Sequence, residues 1–135
     1  MTLQYSVAVR NARLDAVEST IGTSAILEIR SGSAPANCAA ADSGTLLASM
    51  TLPSDWLAAA SSGTKAKSGT WQDASADNAG TAGDFRIKDS GGTTCHAQGT
   101  VTATGGGGDL TLDNTSIAAG QAVTISSFTL TAGNA

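Results

Sequence analysis

QAVTISSFTLT, residues 121–131, is the stretch that decides the fold. Val123 and Ile125 alternate with more polar residues, which is the two-residue period of a strand with one apolar face. The period slips at Ser126–Ser127, because the next apolar residue, Phe128, stands three positions after Ile125. A slip of one residue turns every later side chain to the opposite face. The stretch therefore predicts a strand that bulges or bends at the two serines, or passes there from one sheet to another.

Other stretches show a similar strand pattern, with turn signals between them. Three of them are predicted to pair with the 121–131 strand: Phe85–Ile87, Thr94–Ala103 and Leu110–Leu112. Earlier strands are predicted at Ala25–Arg30, Gly44–Leu52 and Gly69–Asp73. About seven or eight strands in a chain of 135 residues predict a single mainly β domain over residues 1–135, either a β-sandwich or a jelly roll.

Alternation within the strands assigns side chains to the core or to the surface. Arg86 and Lys88 are expected to point outward. Only 4% of the residues are aromatic, so each large ring matters for the core. The residues predicted to face inward are Ala25, Leu27, Ile29, Trp56, Trp71, Phe85 and Ile87.

One amphipathic helix is predicted before the strands, over about residues 5–20, with Gly22 as its C-terminal stop. Its apolar stripe consists of residues at three-, four- and seven-residue spacing: Leu3, Val7, Leu14, Val17 and Ile21. We expect the stripe to pack on the sheet of the same chain, and a neighbouring subunit is the alternative.

Small and polar residues dominate the predicted connections. Residues 53–55 predict a turn or a short helix that continues over Trp56–Ala60, Asp89–Gly92 a hairpin turn, and Gly105–Gly108 a mobile hairpin tip. A flexible tail is predicted over about residues 132–135. The other predicted loops are Ser31–Ser43, Ser61–Ser68, Ala74–Gly83 and Asp113–Gly120.

Charge and composition disfavour several functions. The net charge of −4 and the scattered basic residues argue against binding to nucleic acid, whose phosphates need a positive field. No apolar run approaches the ~18 residues of a membrane span. The N-terminus lacks the pattern of a signal peptide, so we expect synthesis in the cytosol. There Cys38 and Cys95 are expected to be reduced thiols, with a disulfide between them as the alternative.

No residue pattern predicts a catalytic, metal or cofactor site. His96 is the only histidine, and its neighbour Cys95 is expected to face the other side of the strand, so the two cannot easily share a metal ion. Neither a nucleophile elbow nor a pair of acid–base glutamates (Glu18 and Glu28) is indicated. Gly105–Gly108 lacks the Lys-Ser/Thr of a phosphate loop. Six aspartates outside any EF-hand pattern are weak calcium candidates: Asp73, Asp77, Asp84, Asp89, Asp109 and Asp113.

The C-terminal half carries a family resemblance that is strongest over Thr70–Ala135. Its Gly/Thr-rich texture, as in GDFRIKDSGGTTCHAQGTVTATGGGGDLTLDN, resembles small virion structural proteins of tailed bacteriophages and prophages. Among these it is most similar to capsid decoration (cement) proteins, which are often jelly rolls. The resemblance implies a non-enzymatic protein whose partner is the major capsid protein.

Such proteins bind the outside of the phage head and stabilise contacts between major capsid proteins. The resemblance also implies a homo-oligomer (dimer or trimer), assembly in the host cytoplasm and a final place on the capsid surface of the virion. The alternative is a receptor- or carbohydrate-recognition β-sandwich of a phage tail or head fibre. That function usually needs exposed aromatic platforms, and the two candidates, Trp56 and Trp71, are assigned to the core.

Overall fold

Strands make up most of the regular structure in the computed structural model, which describes residues 2–135. The fold is mainly β, a single-domain β-sandwich with one N-terminal helix, as the sequence predicts, and the jelly-roll alternative stays a prediction. The elements are α1 (Val7–Ile21), β1 (Ile26–Ser31), β2 (Leu46–Thr51), β3 (Thr64–Ala66), β4 (Trp71–Asp73), β5 (Gly80–Lys88), β6 (Cys95–Ala103), β7 (Leu110–Leu112), β8 (Ser116–Ile117), β9 (Val123–Ile125) and β10 (Thr129–Thr131).

The main sheet has the strand order β2-β1-β5-β6-β7, and β8 is added beside the start of β5. Neighbouring strands are antiparallel except for β6 and β7, which are parallel. The long strand β5 lies between β1 and β6. Register shifts next to Arg30 and Lys88 interrupt both of its ladders, and such irregularities bend and twist a sheet.

Two short two-stranded ladders, β3 with β10 and β4 with β9, complete the β-structure. One cluster of buried apolar side chains forms the core, and it contains every residue that the sequence predicts to face inward. Its aromatic centre is a chain of ring contacts in which Trp71 lies 5.9 Å from Trp56 and 5.4 Å from Phe128, centroid to centroid. Phe128 in turn meets Phe85 edge-on at 6.0 Å.

The predicted break in the 121–131 stretch is confirmed. Strand β9 ends at Ile125 and β10 begins at Thr129, and both Ile125 and Phe128 are buried. The predicted partners are wrong: β9 pairs with β4 and β10 pairs with β3. The break sends the two halves into separate ladders, while the three segments predicted as partners lie next to one another as β5, β6 and β7.

The glycine-rich connection after β6 is not the tip of a hairpin. It returns the chain so that β7 runs parallel to β6, although parallel strands usually need a crossover of a dozen or more residues. Gly105 and Gly107 have φ angles of +87° and +82°, which other residues rarely adopt. Gly108 donates its N–H to Thr102 Oγ1 at 3.0 Å, so the loop wraps around the Thr102 side chain.

Several segments predicted as loops contain short strands. Ser61–Ser68 contains β3, Ala74–Gly83 contains the start of β5, and Asp113–Gly120 contains β8. Their residues are small or polar and show little apolar alternation, so tertiary pairing decides their conformation. Of the two alternatives predicted for residues 53–55, a turn and a short helix, the structure shows the turn. No helix follows, because Leu57 forms a β-bridge with Lys67 instead.

Helix α1 begins two residues later than predicted and ends one residue later. The Ser6 hydroxyl accepts a hydrogen bond from Val9 N at 3.3 Å and caps its first turn. Gly22, with a φ of +94°, ends it. The helix packs on its own chain, against β3. Its apolar stripe is shorter than predicted: Leu14, Val17 and Ile21 are buried or partly buried, whereas the two residues at its start, Leu3 and Val7, are exposed.

Candidate functional site

Four large apolar side chains near the N-terminus remain in contact with solvent. Leu3 is 63% exposed and Val7 is 51% exposed, and Tyr5 and Val9 are also exposed. Within residues 2–135 these are the only large apolar side chains in the exposed class. We call these four residues the apolar N-terminal segment. Because a folded chain normally buries such side chains, a group of them marks a surface on which another molecule can bind.

Hydrogen bonds to the C-terminal residues hold the apolar N-terminal segment in place. Tyr5 N donates to Asn134 O at 2.6 Å, and Gln4 Nε2 donates to Ala135 O at 3.1 Å. Arg10 Nε donates to Ala132 O at 3.0 Å. The tail predicted as flexible thus bonds to the residues around the start of α1. The guanidinium of Arg13 lies over the Tyr5 ring, 5.3 Å from its centroid, and helps to orient this side chain.

Ion pairs and backbone hydrogen bonds fix the opposite side of α1. Lys65 of β3, predicted in an exposed loop, is buried, and its Nζ lies 2.8 Å from Asp15 Oδ1 and 3.4 Å from Glu18 Oε1. Burial is the largest single effect on Lys65 and opposes its charged form, but the hydrogen bonds and charges of Asp15 and Glu18 together outweigh it, so the pKa of Lys65 is raised. Glu18 Oε2 also accepts the N–H of Leu57 at 2.8 Å. Glu18 is therefore a docking residue of the helix.

A second group of charges lies on the outer face of the main sheet. Arg86 and Lys88 point away from the core as predicted, yet they are buried, at 2% and 5% exposure, which corrects the expectation of a solvated face. The loop over residues 32–45 between β1 and β2 covers them. Arg86 donates to three carbonyl groups of this loop, those of Asn37, Cys38 and Ala40, at 3.0–3.2 Å.

Asp42 of that loop joins the charges into one network. Its Oδ2 lies 2.7 Å from Lys88 Nζ, and its Oδ1 accepts from Arg86 Nη1 at 2.5 Å. Glu28 Oε1 lies 3.0 Å from both Lys88 Nζ and Arg30 Nη2. We call Glu28, Arg30, Arg86 and Lys88, together with the more exposed Asp42 that joins them, the buried ion cluster. Hydrogen bonds from Lys88 and Arg86 lower the pKa of Asp42 to about 2.

The sequence contains a signal for this cluster. The charged residues of β1 and β5 lie opposite each other with opposite signs, Glu28 against Arg86 and Arg30 against Asp84. Opposite charges at cross-strand positions stabilise an antiparallel pair. This signal can be recognised only when the pairing register is known, because the paired residues of β1 and β5 are more than 50 positions apart in the chain.

Asp84 differs from the other carboxylates of this face. It is completely buried, and neither carboxylate oxygen has a hydrogen-bond partner among the described residues. Burial raises the pKa of Asp84, although Arg30 and Arg86 act in the opposite direction. Because Asp84 is completely buried, its carboxylate is not open to a calcium ion in solution.

The two cysteines lie close together on the same outer face. Both cysteines are free in the structure and partly exposed, and their redox state stays a prediction. Burial, followed by the hydrogen bond with Cys38, raises the pKa of Cys95 to about 11. Cys38 and Cys95 line one cavity of about 750 Å³ together with Asp42, Arg86 and Lys88.

The remaining candidate residues lie apart from one another. His96 lines a groove beside Arg13 and Val17 of α1, whereas Cys95 lines the cavity on the outer face. Three aspartates accept hydrogen bonds from backbone N–H groups: Asp73 from Ser49 N, Asp89 from Thr93 N and Asp109 from Thr100 N, at 2.9–3.0 Å. Within residues 2–135, no three His, Cys, Asp or Glu side chains form a group that could hold a metal ion.

A cavity of about 450 Å³ opens between α1, β6 and β10. Trp56, Phe85 and Phe128 lie at its floor, but all three are buried, so the cavity presents no exposed aromatic face. Trp71 is buried as well, which confirms the assignment of both tryptophans to the core. The polar groups that line the 450 Å³ cavity come from Gln98, Asp109, Thr129 and Thr131.

No helix among residues 2–135 is both long enough and apolar enough to cross a membrane. Comparisons of the chain with protein-family models, with curated proteins and with solved structures find no match.

Proposed function

We propose that this protein is a non-enzymatic structural protein of a phage virion, a capsid decoration (cement) protein. It binds the outside of the phage head and stabilises contacts between major capsid proteins. The exposed apolar N-terminal segment is the observation that carries the proposal, because it offers a binding surface on a chain whose other large apolar side chains in residues 2–135 are buried or partly buried. The virion resemblance of Thr70–Ala135 supplies the class of partner.

The arrangement of the segment suits binding to a large, preformed surface. Its backbone is hydrogen-bonded to Asn134, and the start of α1 is held by the bond between Arg10 and Ala132. A segment that is already ordered loses less conformational entropy when it binds. Burial of a Val or Leu side chain contributes about 1.5–3 kcal/mol, so two or three of them support a moderate affinity for each contact.

Repetition on the capsid strengthens such moderate contacts. A homo-oligomer, a dimer or a trimer, would present two or three apolar N-terminal segments to neighbouring copies of the major capsid protein. When one contact has formed, the next becomes intramolecular, and the combined binding can exceed a single contact by 10²–10⁴-fold (roughly). The proposal thus places the protein on the virion surface after assembly in the host cytoplasm.

The charged residues have structural roles that fit a protein without catalysis. Glu18 holds α1 to the segment around Leu57, and Asp42 holds the β1–β2 loop to the main sheet. A carboxylate that is bonded to several cations is poorly suited to exchange protons near neutral pH. This use of the charged side chains supports a binding function.

The test compares capsid binding of the wild-type protein with that of the double variant Val7→Asp, Val9→Asp. Carboxylates in the first turn of a helix interact favourably with its dipole, so the variant should fold with an unchanged or slightly higher Tm. It should bind expanded capsids that lack this protein at least 10-fold more weakly (roughly), because two apolar contacts are lost. Sedimentation with the capsids measures the bound fraction.

Ala119→Asp is the matched control, since it adds a carboxylate to an exposed turn between β8 and β9. It should bind capsids like the wild type. Equal binding of the wild type and of the Val7, Val9 variant would exclude the segment as the contact. No binding of the wild type to any expanded capsid would overturn the decoration function itself.

One observation favours a second candidate, a recognition module of a phage tail or head fibre. The 450 Å³ cavity beside α1 is concave and mainly apolar, with a few polar groups, which is typical of ligand sites. Against it, the aromatic rings at its floor are buried and cannot stack on a sugar without movement of their neighbours. A screen with soluble sugars, read by tryptophan emission, separates the two functions.

A further inference from the structure

The fold brings the two cysteines of the chain together at the outer face of the main sheet. Cys38 lies in the loop between β1 and β2, and Cys95 is the first residue of β6. Both side chains line the same cavity, and Arg86 lies next to both cysteines, since it donates to the Cys38 carbonyl at 3.0 Å and lies beside the Cys95 sulfur. Two cysteines that are far apart in the sequence and share one cavity in this way can form a disulfide if their Cβ atoms approach to about 4 Å.

We propose that Cys38 and Cys95 are a modification site, at which exchange with a small-molecule disulfide such as oxidised glutathione forms a reversible disulfide bond. The bond locks the loop over residues 32–45 onto the buried ion cluster. The proposal stands apart from the virion function, because it depends only on the positions of the two thiols and of Arg86.

Access and charge at the site support the exchange. Both thiols are partly exposed, so a small oxidant can reach them. The guanidinium of Arg86 lies beside the Cys95 sulfur, and its buried Nε has no hydrogen-bond partner among residues 2–135. A positive charge at this place favours the thiolate that must form during exchange and acts against burial, which nevertheless raises the pKa of Cys95 to about 11.

The exchange balances in two steps. The thiolate of one cysteine attacks oxidised glutathione, so that a protein–glutathione disulfide forms and one glutathione thiolate leaves. The thiolate of the second cysteine then attacks the protein sulfur of this mixed disulfide, closes the Cys38–Cys95 bond and expels the second glutathione. The two protein thiols are oxidised, two glutathione molecules are reduced, and the two thiol protons pass to the glutathione thiolates.

The bond would stabilise the fold through the unfolded state. It closes a loop of about 60 residues, and a loop of that length restricts the unfolded chain strongly. Since both side chains line the same cavity and Cys38 lies on a loop, a small movement of that loop brings the sulfurs together. We therefore expect a clear rise in Tm without a change in the fold.

The experiment treats the folded wild-type protein with oxidised glutathione. We expect the loss of two hydrogen atoms by intact mass, a Cys38–Cys95 peptide by mapping, and a Tm higher by about 10 °C that reductant reverses. Cys38→Ser and Cys95→Ser are the controls. Each should take up one glutathione, keep it, and show no such rise in Tm.

Three results would overturn the proposal. The first is a pair of thiols that reacts only after the protein has been unfolded. The second is a disulfide that links two chains instead of Cys38 and Cys95 of one chain. The third is an internal bond that leaves the Tm unchanged or lowers it, since the loop would then not be locked.

Discussion

Asp42 and Asp84 face some of the same cations, yet their surroundings give them opposite properties. Asp42 accepts hydrogen bonds from Lys88 and Arg86, which lower its pKa to about 2. Asp84 accepts none among the described residues, and its burial raises its pKa. A charged group out of water is stabilised only when hydrogen bonds replace its hydration, so nearby charge alone does not suffice.

We expect Asp84→Asn to increase stability at pH 7 by about 1 kcal/mol, because it removes a buried charge without hydrogen bonds. The pKa of Asp84 is higher in the folded protein than its ordinary value of 3.8. The contribution of Asp84 to stability is therefore fully present below pH 3.8 and is lost as the pH rises through the folded pKa. The gain should therefore vanish near pH 3. Urea unfolding at several pH values measures it, and a loss of stability at pH 7 would show a missed partner for the carboxylate.

Asp42→Asn is the matched variant and should act in the opposite direction. The folded pKa of Asp42 lies below 3.8, so its contribution is present above pH 3.8 and is lost as the pH falls toward about 2. At pH 7 the variant should lose about 1–2 kcal/mol, because buried Arg86 and Lys88 lose their shared partner, while the exposure of Asp42 to solvent screens part of the effect. The two proteins should become equally stable near pH 2. An unchanged stability at pH 7 would contradict the role of the cluster.

At the scale of elements, the broken strand over residues 121–131 connects the two short ladders. Phe128 lies in the break itself and packs against both Trp71 and Phe85. Because β9 and β10 each contain only three residues, their backbone hydrogen bonds are few. Side-chain packing at the break must therefore hold the two ladders together.

We expect Phe128→Ala to lose roughly 3–5 kcal/mol of stability, because it leaves a cavity beside the rings of Trp71 and Phe85. Thr124→Ala and Thr129→Ala are the controls. Both threonines are exposed, so these variants should lose less than about 1 kcal/mol. Thermal or urea unfolding measures the three differences. A Phe128→Ala protein that keeps its stability but no longer binds capsids would move this residue from the fold to the interface.

Strand β3 is an element that the local sequence pattern does not predict. Its residues are Thr64, Lys65 and Ala66, which show no apolar alternation. Lys65 is nevertheless the buried position, since Asp15 and Glu18 of α1 supply the opposite charges. Lysines are mostly exposed in proteins, so the sequence alone assigns Lys65 to the surface. Its burial becomes possible only because carboxylates of α1 pair with its charge.

At the scale of the whole molecule, both tryptophans lie inside one core. We expect the folded protein to show blue-shifted tryptophan emission that acrylamide quenches weakly, since Trp56 and Trp71 are completely buried. Soluble sugars should leave this emission unchanged. The Phe128→Ala protein provides a positive control, because its cavity should loosen the rings. Strong quenching of the wild type, or a response to a sugar, would favour the recognition module.

The sequence by itself determined the mainly β class, the N-terminal helix, the inward set of apolar residues and the break at Ser126–Ser127. These features depend on local periodicity, turn residues and helix caps, which are properties of neighbouring positions. Only the tertiary structure decided which strands pair, that Arg86, Lys88 and Lys65 are buried, and that two distant cysteines line one cavity. Those features depend on the strand register and on which loop covers which face of the sheet. The same local sequence pattern is compatible with many such arrangements, so it cannot select one of them. The apolar N-terminal segment shows the same division, because its side chains are visible in the sequence while their exposure follows from where α1 docks.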